Sequence, residues 1–336
     1  MPGSNPVFRV GVTRDVVRPD GTTVYDLSAL DAPGVRLEQM PEHQRELAPE
    51  HLAGFDAVLL FSPRVNAATL AGDDRPLVLA RIGVGYDNVD VAACTERGVL
   101  LTITPDAIRR PMAQGGMAFV LALAHRLPEL DRHVREGGWD RFRHIGTGLQ
   151  GRTLGLVGLG NVGRDLVGLA LPFGLKILAC DPYAAEAPAG VELAPLQRLL
   201  GEADFVVIAC PLNDETRHLI DADRLALMRP EAYLINIARG GIVDQPALVA
   251  ALAEKRIAGA ALDVFEQEPI APDDPLLSLD NVILAPHGIG LLDHTFRVGG
   301  RSACESVLAV AAGRVPRYVV NPAALDHPRL EGLTAS

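Results

Sequence analysis

Arg239, His287 and a run of acids between Asp263 and Glu268 are the residues of this chain best suited to proton and hydride chemistry at a carbonyl. Each follows a short apolar run that reads as a strand. Arg239 and Gly240 come after YLINIA, the acids of DVFEQE close the run that opens at Gly259, and His287 comes after LAP. Ligands of open parallel sheets bind beyond the carboxyl ends of the strands, so these residues are expected on one edge of one sheet. Hydride reduction of a carbonyl needs a proton donor that titrates near neutrality, and histidine is the natural group. It needs a cation that grips a carboxylate with two parallel bonds and polarises the carbonyl, which is a task for arginine. A carboxylate behind the histidine orients the ring and favours its protonated form. Arg239, His287 and Glu268 fill these roles, with Asp263 as an alternative acid. Glu266 rivals Glu268, and spacing alone does not separate them.

The other candidates have weaker settings. His125, His133, His144 and His218 lie on helical or loop segments. His294 sits at an expected helix start, where solvent is its natural partner. Arg239 has a structural alternative, pairing with Asp244 or Glu268. Arg109 and Arg110 sit at a join between expected domains, where an anionic substrate could meet them.

A second constellation lies upstream, in GRTLGLVGLGNVGRDLVGLALPFGLKILACD, from Gly151 to Asp181. An apolar run, Thr153 to Val157, leads into Gly158, Gly160 and Gly163, spaced G-x-G-x-x-G. Gly158 suits the tight turn out of a strand, Gly160 lets the backbone approach a pyrophosphate, and Gly163 lets helix pack closely on strand. The helix expected over Asn161 to Phe173 turns its unpaired N–H groups toward the phosphates. Gly174 stops it, and a second run, Leu175 to Cys180, ends at Asp181. That carboxylate is placed to accept hydrogen bonds from the adenosine ribose hydroxyls. It also repels a 2′-phosphate, and no Arg or Lys follows it at once, so NAD is expected over NADP.

These residues need a scaffold. Phe8–Val12, 56–61, 77–81 and 99–103 read as strands, with helices over 66–71 and 90–97. A long helix is expected from Pro111 to Arg135, with Pro111 near its start and Pro128 ending or kinking it. Gly137, Gly138 and Trp139 follow, and an aromatic at the end of a connecting helix suggests subunit contacts. Strands are also expected at 205–210, 233–238, 259–264 and 282–285, with helices from Asp244 to Lys255 and from Leu292 to Ala312. Counting 153–157 and 175–180, the second part holds six strands, as in a doubly wound nucleotide-binding domain. The last residues, Arg314 to Ser336, form no further strand–helix unit and are expected to pack onto the first domain. The loop GVGYDN, after Ile82, offers N–H groups that could cradle a small anion.

At 336 residues the chain can form two domains with sizeable cores. A formal net charge of −11 argues against nucleic acid or an anionic membrane as partner. Cys94, Cys180, Cys210 and Cys304 lack metal-ligand spacing and are expected as buried thiols; no metal is expected. The N-terminus has no basic-then-apolar pattern and no apolar run reaches about 18 residues, so the protein is expected to be cytoplasmic.

The stretches RIGVGYDNVD, TLGLVGLGNVG, LINIARGGIVD, ALDVFEQEP and LAPHGIG stand in the order and at the spacings of the D-isomer-specific 2-hydroxyacid dehydrogenases. The chain resembles that family from about Phe61 to about Gly313. The resemblance implies an α/β architecture of two doubly wound parallel-sheet domains with an interdomain cleft. A flavodoxin-like substrate domain would comprise residues 1–105 and 298–336, and a Rossmann NAD-binding domain residues 106–297. It implies His287 as acid/base, Glu268 as its partner, Arg239 on the substrate carboxylate and carbonyl, and the N–H groups of Val84 and Gly85 on that carboxylate. Together with the glycine fingerprint it places NAD(H) on Gly158, Gly160, Asn161, Val162, Gly163, Asp181, Pro211, Thr216, Ala238, Asp263 and Gly290. It further implies a homodimer built around the inserted domain, a small anionic 2-oxo or 2-hydroxy acid as substrate, and domain closure that expels water.

Some positions depart from the family pattern: Gln114 stands where many members carry glutamate, Met112 where a smaller aliphatic residue is usual, and GIGLLDHTF lacks a common threonine and acid. Glu268 speaks against the formate-oxidising branch, which carries glutamine there. Two other readings share these motifs: an NAD(H)-binding regulator of the corepressor kind, and a dehydrogenase of an unusual substrate such as phosphite.

Overall fold

The structure, a computed structural model, describes residues 7–334. In chain order it forms β1 (Phe8–Val12), β2 (Val35–Gln39), α1 (Pro49–Leu52), β3 (Ala57–Leu60), β4 (Val78–Arg81), α2 (Val91–Glu96) and β5 (Leu100–Thr102). Next come α3 (Pro105–Ala124), α4 (Leu127–Arg135), β6 (Thr153–Val157), α5 (Asn161–Ala170), β7 (Lys176–Cys180), β8 (Val191–Leu193) and α6 (Leu196–Glu202). The chain continues through β9 (Phe205–Ile208), α7 (Ala222–Leu225), β10 (Tyr233–Asn236), α8 (Gln245–Ala253), β11 (Gly259–Leu262), β12 (Val282–Leu284) and α9 (Asp293–Ala311). Two compact units result. One runs up to Ile108 and resumes at Leu291; the other is Arg109–Gly290.

The first unit holds a parallel five-stranded sheet in the order β2-β1-β3-β4-β5. Apart from the edge strand β2, VRLEQ, its strands are largely apolar because both faces are covered. Val10, Val12, Leu59 and Ala80 face Cys304, Val307 and Val310 of α9. Val58, Leu60 and Leu79 face Leu52 and Cys94 on the other side. The C-terminal stretch is tied in by Asn321, which accepts from Leu101 N at 2.8 Å and donates to Val99 O at 2.9 Å. Because α9 turns a buried face into this core, the junction falls before it, at Gly290/Leu291, whereas the sequence placed it at 297/298.

The second unit holds seven parallel strands, β12-β11-β10-β9-β6-β7-β8, one more than the six read from sequence. The addition is β8, VEL, a partly exposed edge strand too short and polar to announce itself. Alternate residues serve opposite faces. Leu154, Leu156, Val207 and Ile235 pack under α3 and α5 with Val120, Leu123 and Leu166. Val157, Val206, Ile208 and Leu234 pack under α6 and α8 with Leu199, Leu248 and Leu252. The order reverses between β6 and β9, which is the switch point where such sheets bind ligands.

Three local expectations are corrected. The 66–71 stretch is a run of turns, held by Asn66 and Thr69 side chains on each other's backbone, and not a helix. The single helix over 111–135 is two: α3 starts earlier, with Pro111 inside it, and α4 follows a break at Arg126, whose φ is 52°. Pro128 enforces the break, since its ring clashes with the carbonyl four residues back, and it then sits in the first turn of α4, where no N–H is needed. Of the four thiols, Cys94 and Cys304 are buried, with burial pushing each up to about 12, but Cys180 and Cys210 are only half-buried. Among the described residues no helix is long and apolar enough to cross a membrane.

Candidate functional site

Strand register lines the site up. Cys180, Val157, Ile208, Asn236, Leu262 and Leu284 are paired neighbours across six strands of the second unit. Asp181, Gly158, Pro211, Ala238, Arg239, Asp263 and His287 each follow this row within three residues. Strands 205–208, 233–236 and 259–262 end two residues sooner than the apolar runs suggest, because the chain there turns over the sheet edge.

At β6 the glycines act through contact. Gly158 has φ 99°, and a Cβ on it would lie 2.7 Å from Cys210 N, so only glycine lets β6 turn beside the end of β9. A Cβ on Gly163 would lie 2.4 Å from Gly158 O, while one on Gly160 would meet nothing within 4 Å. Gly160 is the N-cap of α5, so the helix begins at an exposed Asn161 and a half-buried Val162 that packs on the core. Asp181 accepts from Leu159 N at 2.7 Å and from Tyr183 N at 2.9 Å, fixing its carboxylate beside the glycine turn. Thr216 donates to Pro211 O at 2.7 Å and takes Asn213 N at 2.8 Å, shaping the loop after β9. Open backbone at Gly160, a helix N-terminus and a fixed carboxylate fit a dinucleotide. When bound, NAD(H) would supply or accept the hydride.

At the other side of the edge, His287 Nδ1 lies 2.7 Å from Glu268 Oε2. The second Glu268 oxygen accepts from Phe265 N at 3.0 Å. Burial raises the Glu268 carboxyl, but the bonds from His287 and Phe265 and the charges of His287 and Arg239 outweigh it and hold the group below the usual range. Asp263 is buried and accepts from Gly288 N at 2.8 Å and Ile289 N at 3.0 Å. Its burial wins over those bonds and the His287 charge, so its carboxyl is raised. His287 itself takes φ 52°, a left-handed conformation that side chains favour little, between its own N–H on Ala285 O and the two donors on Asp263.

Arg239 stands at the end of β10. Asn236, buried, donates to Arg239 O at 2.9 Å and accepts from Ala238 N at 3.0 Å. A Cβ on Gly240 would lie 1.9 Å from Phe265 C, so the Arg239 turn lies flush against the chain leading to Glu268.

The geometry separates the rival acids: Glu268 meets His287, whereas Glu266 lies 2.6 Å from His218 Nε2. His218, one of the histidines with a weaker setting in the sequence, therefore has a carboxylate partner of its own. Asp244 caps α8 through Ala247 N. Arg109 clamps Asp165 on α5 at 3.1 Å. Gln114 is exposed and Met112 half-buried on α3, and His294 is exposed on α9.

Sequence reasoning passed over Asn236, although a polar residue inside YLINIA was a signal. It also passed over Gly115, where a Cβ would lie 2.5 Å from Ile289 Cγ1. In the first unit, Val84 and Gly85 lie in the loop after β4, anchored by Gly83, whose N–H donates to Thr104 at 2.8 Å. Gly290 ends the second unit. Among the described residues no group of three or more His, Cys, Asp or Glu could hold a metal ion.

Known proteins share this plan. A family model described as D-isomer specific 2-hydroxyacid dehydrogenase, NAD binding domain, matches residues 117–288. A glyoxylate reductase of Korarchaeum cryptofilum is 38% identical over 93% of this chain and 96% of the relative. One of Thermococcus onnurineus is 40% identical over 86% of this chain and 90% of its own. The crystal structure of the TT0316 protein from Thermus thermophilus superposes with a TM-score of 0.83 at 33% identity, covering 93% of this chain and 99% of that one. Five motifs, a dinucleotide-binding edge and full-length relatives converge: the chain belongs to the D-isomer specific 2-hydroxyacid dehydrogenase family and is an NAD-dependent oxidoreductase of 2-hydroxy and 2-oxo acids.

Proposed function

We propose that the protein is an NADH-dependent reductase of a small 2-oxo acid, with glyoxylate the first substrate to test, and that His287 is its acid/base. The observation that carries this reading is the 2.7 Å His287–Glu268 contact on the sheet edge that also bears the glycine turn and Arg239. With Nδ1 on Glu268, the free Nε2 gives its proton to the carbonyl oxygen as charge develops there. Glu268 keeps the ring in that orientation and favours its charged form. Arg239 holds the substrate carboxylate and draws electron density from the carbonyl. The N–H groups of Val84 and Gly85 belong to the same proposal as further ligands of the carboxylate. Glyoxylate leads because the near-full-length relatives above carry that name. Asp181 supports NADH over NADPH.

The test follows NADH oxidation with glyoxylate, hydroxypyruvate, pyruvate, and branched and aromatic 2-oxo acids. His287→Ala is expected to lower kcat/KM by roughly 10²- to 10⁴-fold while the Kd for NADH stays within a factor of two. Turnover within tenfold of wild type in that variant would exclude His287 as the acid. We further propose a homodimer, supported by the exposed Trp139 and Phe142 after α4.

A further inference from the structure

Tyr183 touches two carboxylates at once. Its N–H donates to Asp181 Oδ1 at 2.9 Å, and its hydroxyl donates to Glu215 Oε2 at 2.6 Å. Asp181 follows β7 and Glu215 lies on the loop after β9, while β6, with the glycine turn, runs between those strands. The Tyr183–Glu215 bond therefore spans the carboxyl end of β6, where the adenosine side of a dinucleotide would enter.

The ring has little else to hold it, since Tyr183 is 77% exposed. The Glu215 end is fixed from below, because Asn213 Oδ1 accepts from Glu215 N at 3.0 Å in the turn that Thr216 also closes. The bond to Glu215 and its charge, with smaller pushes from burial and from Asp181, raise the Tyr183 phenol. The stretch after Asp181, PYAAE, holds no cation. Arg217, the nearest basic residue beyond Glu215 in sequence, has its guanidinium near Gly241.

We propose that Glu215, held across the nucleotide site by Tyr183, acts with Asp181 as a second carboxylate that excludes the 2′-phosphate of NADP(H). This rests on the dinucleotide reading of the glycine turn. A ribose 2′-hydroxyl can donate to a carboxylate, whereas a 2′-phosphate brings further negative charge against two fixed ones. The interaction is exposed, so added salt weakens it.

The test measures binding rather than turnover: fluorescence titration of the full chain with NADH and NADPH, for wild type, Glu215→Gln and Tyr183→Phe. Wild type is expected to prefer NADH. Glu215→Gln should tighten NADPH by roughly five- to tenfold and change NADH by less than twofold, as expected for one charge at an exposed site. That gain should shrink in 0.5 M salt, about where screening reaches within a few ångströms. Tyr183→Phe should shift the ratio in the same direction by less, because the carboxylate remains but is no longer pinned. A wild-type preference for NADH that Glu215→Gln leaves within twofold would overturn the role of Glu215 alone. Wild type that binds neither nucleotide would remove the dinucleotide reading and this inference together.

Discussion

Asp263 and Glu268 lie five positions apart on one loop, and the structure drives their carboxyls in opposite directions. The signs lead to opposite stability profiles. Asp263 is raised, so its contribution is complete below its unfolded value of about 4 and is lost as pH climbs through the folded value. Asp263→Asn keeps an oxygen for Gly288 and Ile289 but carries no charge. It should unfold at a higher temperature than wild type at pH 7, and the gap should close as pH falls through the folded value and be gone below about 4. Glu268 is lowered, so its contribution is present above its unfolded value and is lost as pH falls through the folded one. Glu268→Gln should be less stable than wild type at pH 7 and converge with it on acidification. Thermal melts at several pH values check both; profiles of the same sign would mean that burial does not dominate at Asp263. A buried acid that weakens the fold at neutral pH is the kind of group a functional site retains. The candidate residues themselves were legible in the sequence, because each follows an apolar run. Which glutamate meets the histidine was not: Glu266 and Glu268 share a loop, and only the turn bonded through Phe265 N and Gln245 sends one to His287 and the other to His218.

Elements hold these residues through close backbone approach, and two glycines measure how firmly. A Cβ on Gly240 would strike the Phe265 peptide, main chain against main chain, with no side chain free to yield. Gly240→Ala should cost on the order of 3 kcal/mol or more and abolish turnover. At Gly115 the obstacle is the Ile289 side chain. Gly115→Ala should cost about 1–3 kcal/mol, and adding Ile289→Ala should recover part of that loss, as contacting sites couple. Denaturant melts of the three variants decide it: equal damage with and without Ile289→Ala would mean that α3 does not seat the His287 turn. Most of the scaffold could be read ahead of time because buried parallel strands are unbroken apolar runs. The two strands overlooked, β2 with VRLEQ and β8 with VEL, are edge strands that mix charge into short segments. The Arg126 break was foreseeable from Pro128, but the early start of α3 was not, since Pro111 reads as a first-turn residue and sits in the interior.

At the scale of the whole molecule, the apolar surface after α4 is out of keeping with the rest of the chain. Trp139 is 78% and Phe142 80% exposed, with Ile145 beside them, on a protein of formal charge −11. Aromatic side chains are enriched at the centres of protein interfaces, and an isolated chain leaves these in water. Two copies of the chain repel each other through their net charge, so the proposed dimer would have to form by apolar burial and should persist or strengthen as salt screens the repulsion. Trp139 is the single tryptophan, so its emission reports this surface directly. On dilution the emission should shift to the red as the mass measured by light scattering falls from two chains to one, with the same midpoint for both signals. Phe142→Ser should move that midpoint to higher concentration by roughly ten- to a hundredfold, as expected for a residue at the centre of an interface, while leaving the NADH dissociation constant unchanged. A tryptophan that stays red-shifted at every concentration, in a chain that scatters as one copy, would remove the dimer and leave the aromatic surface for another partner.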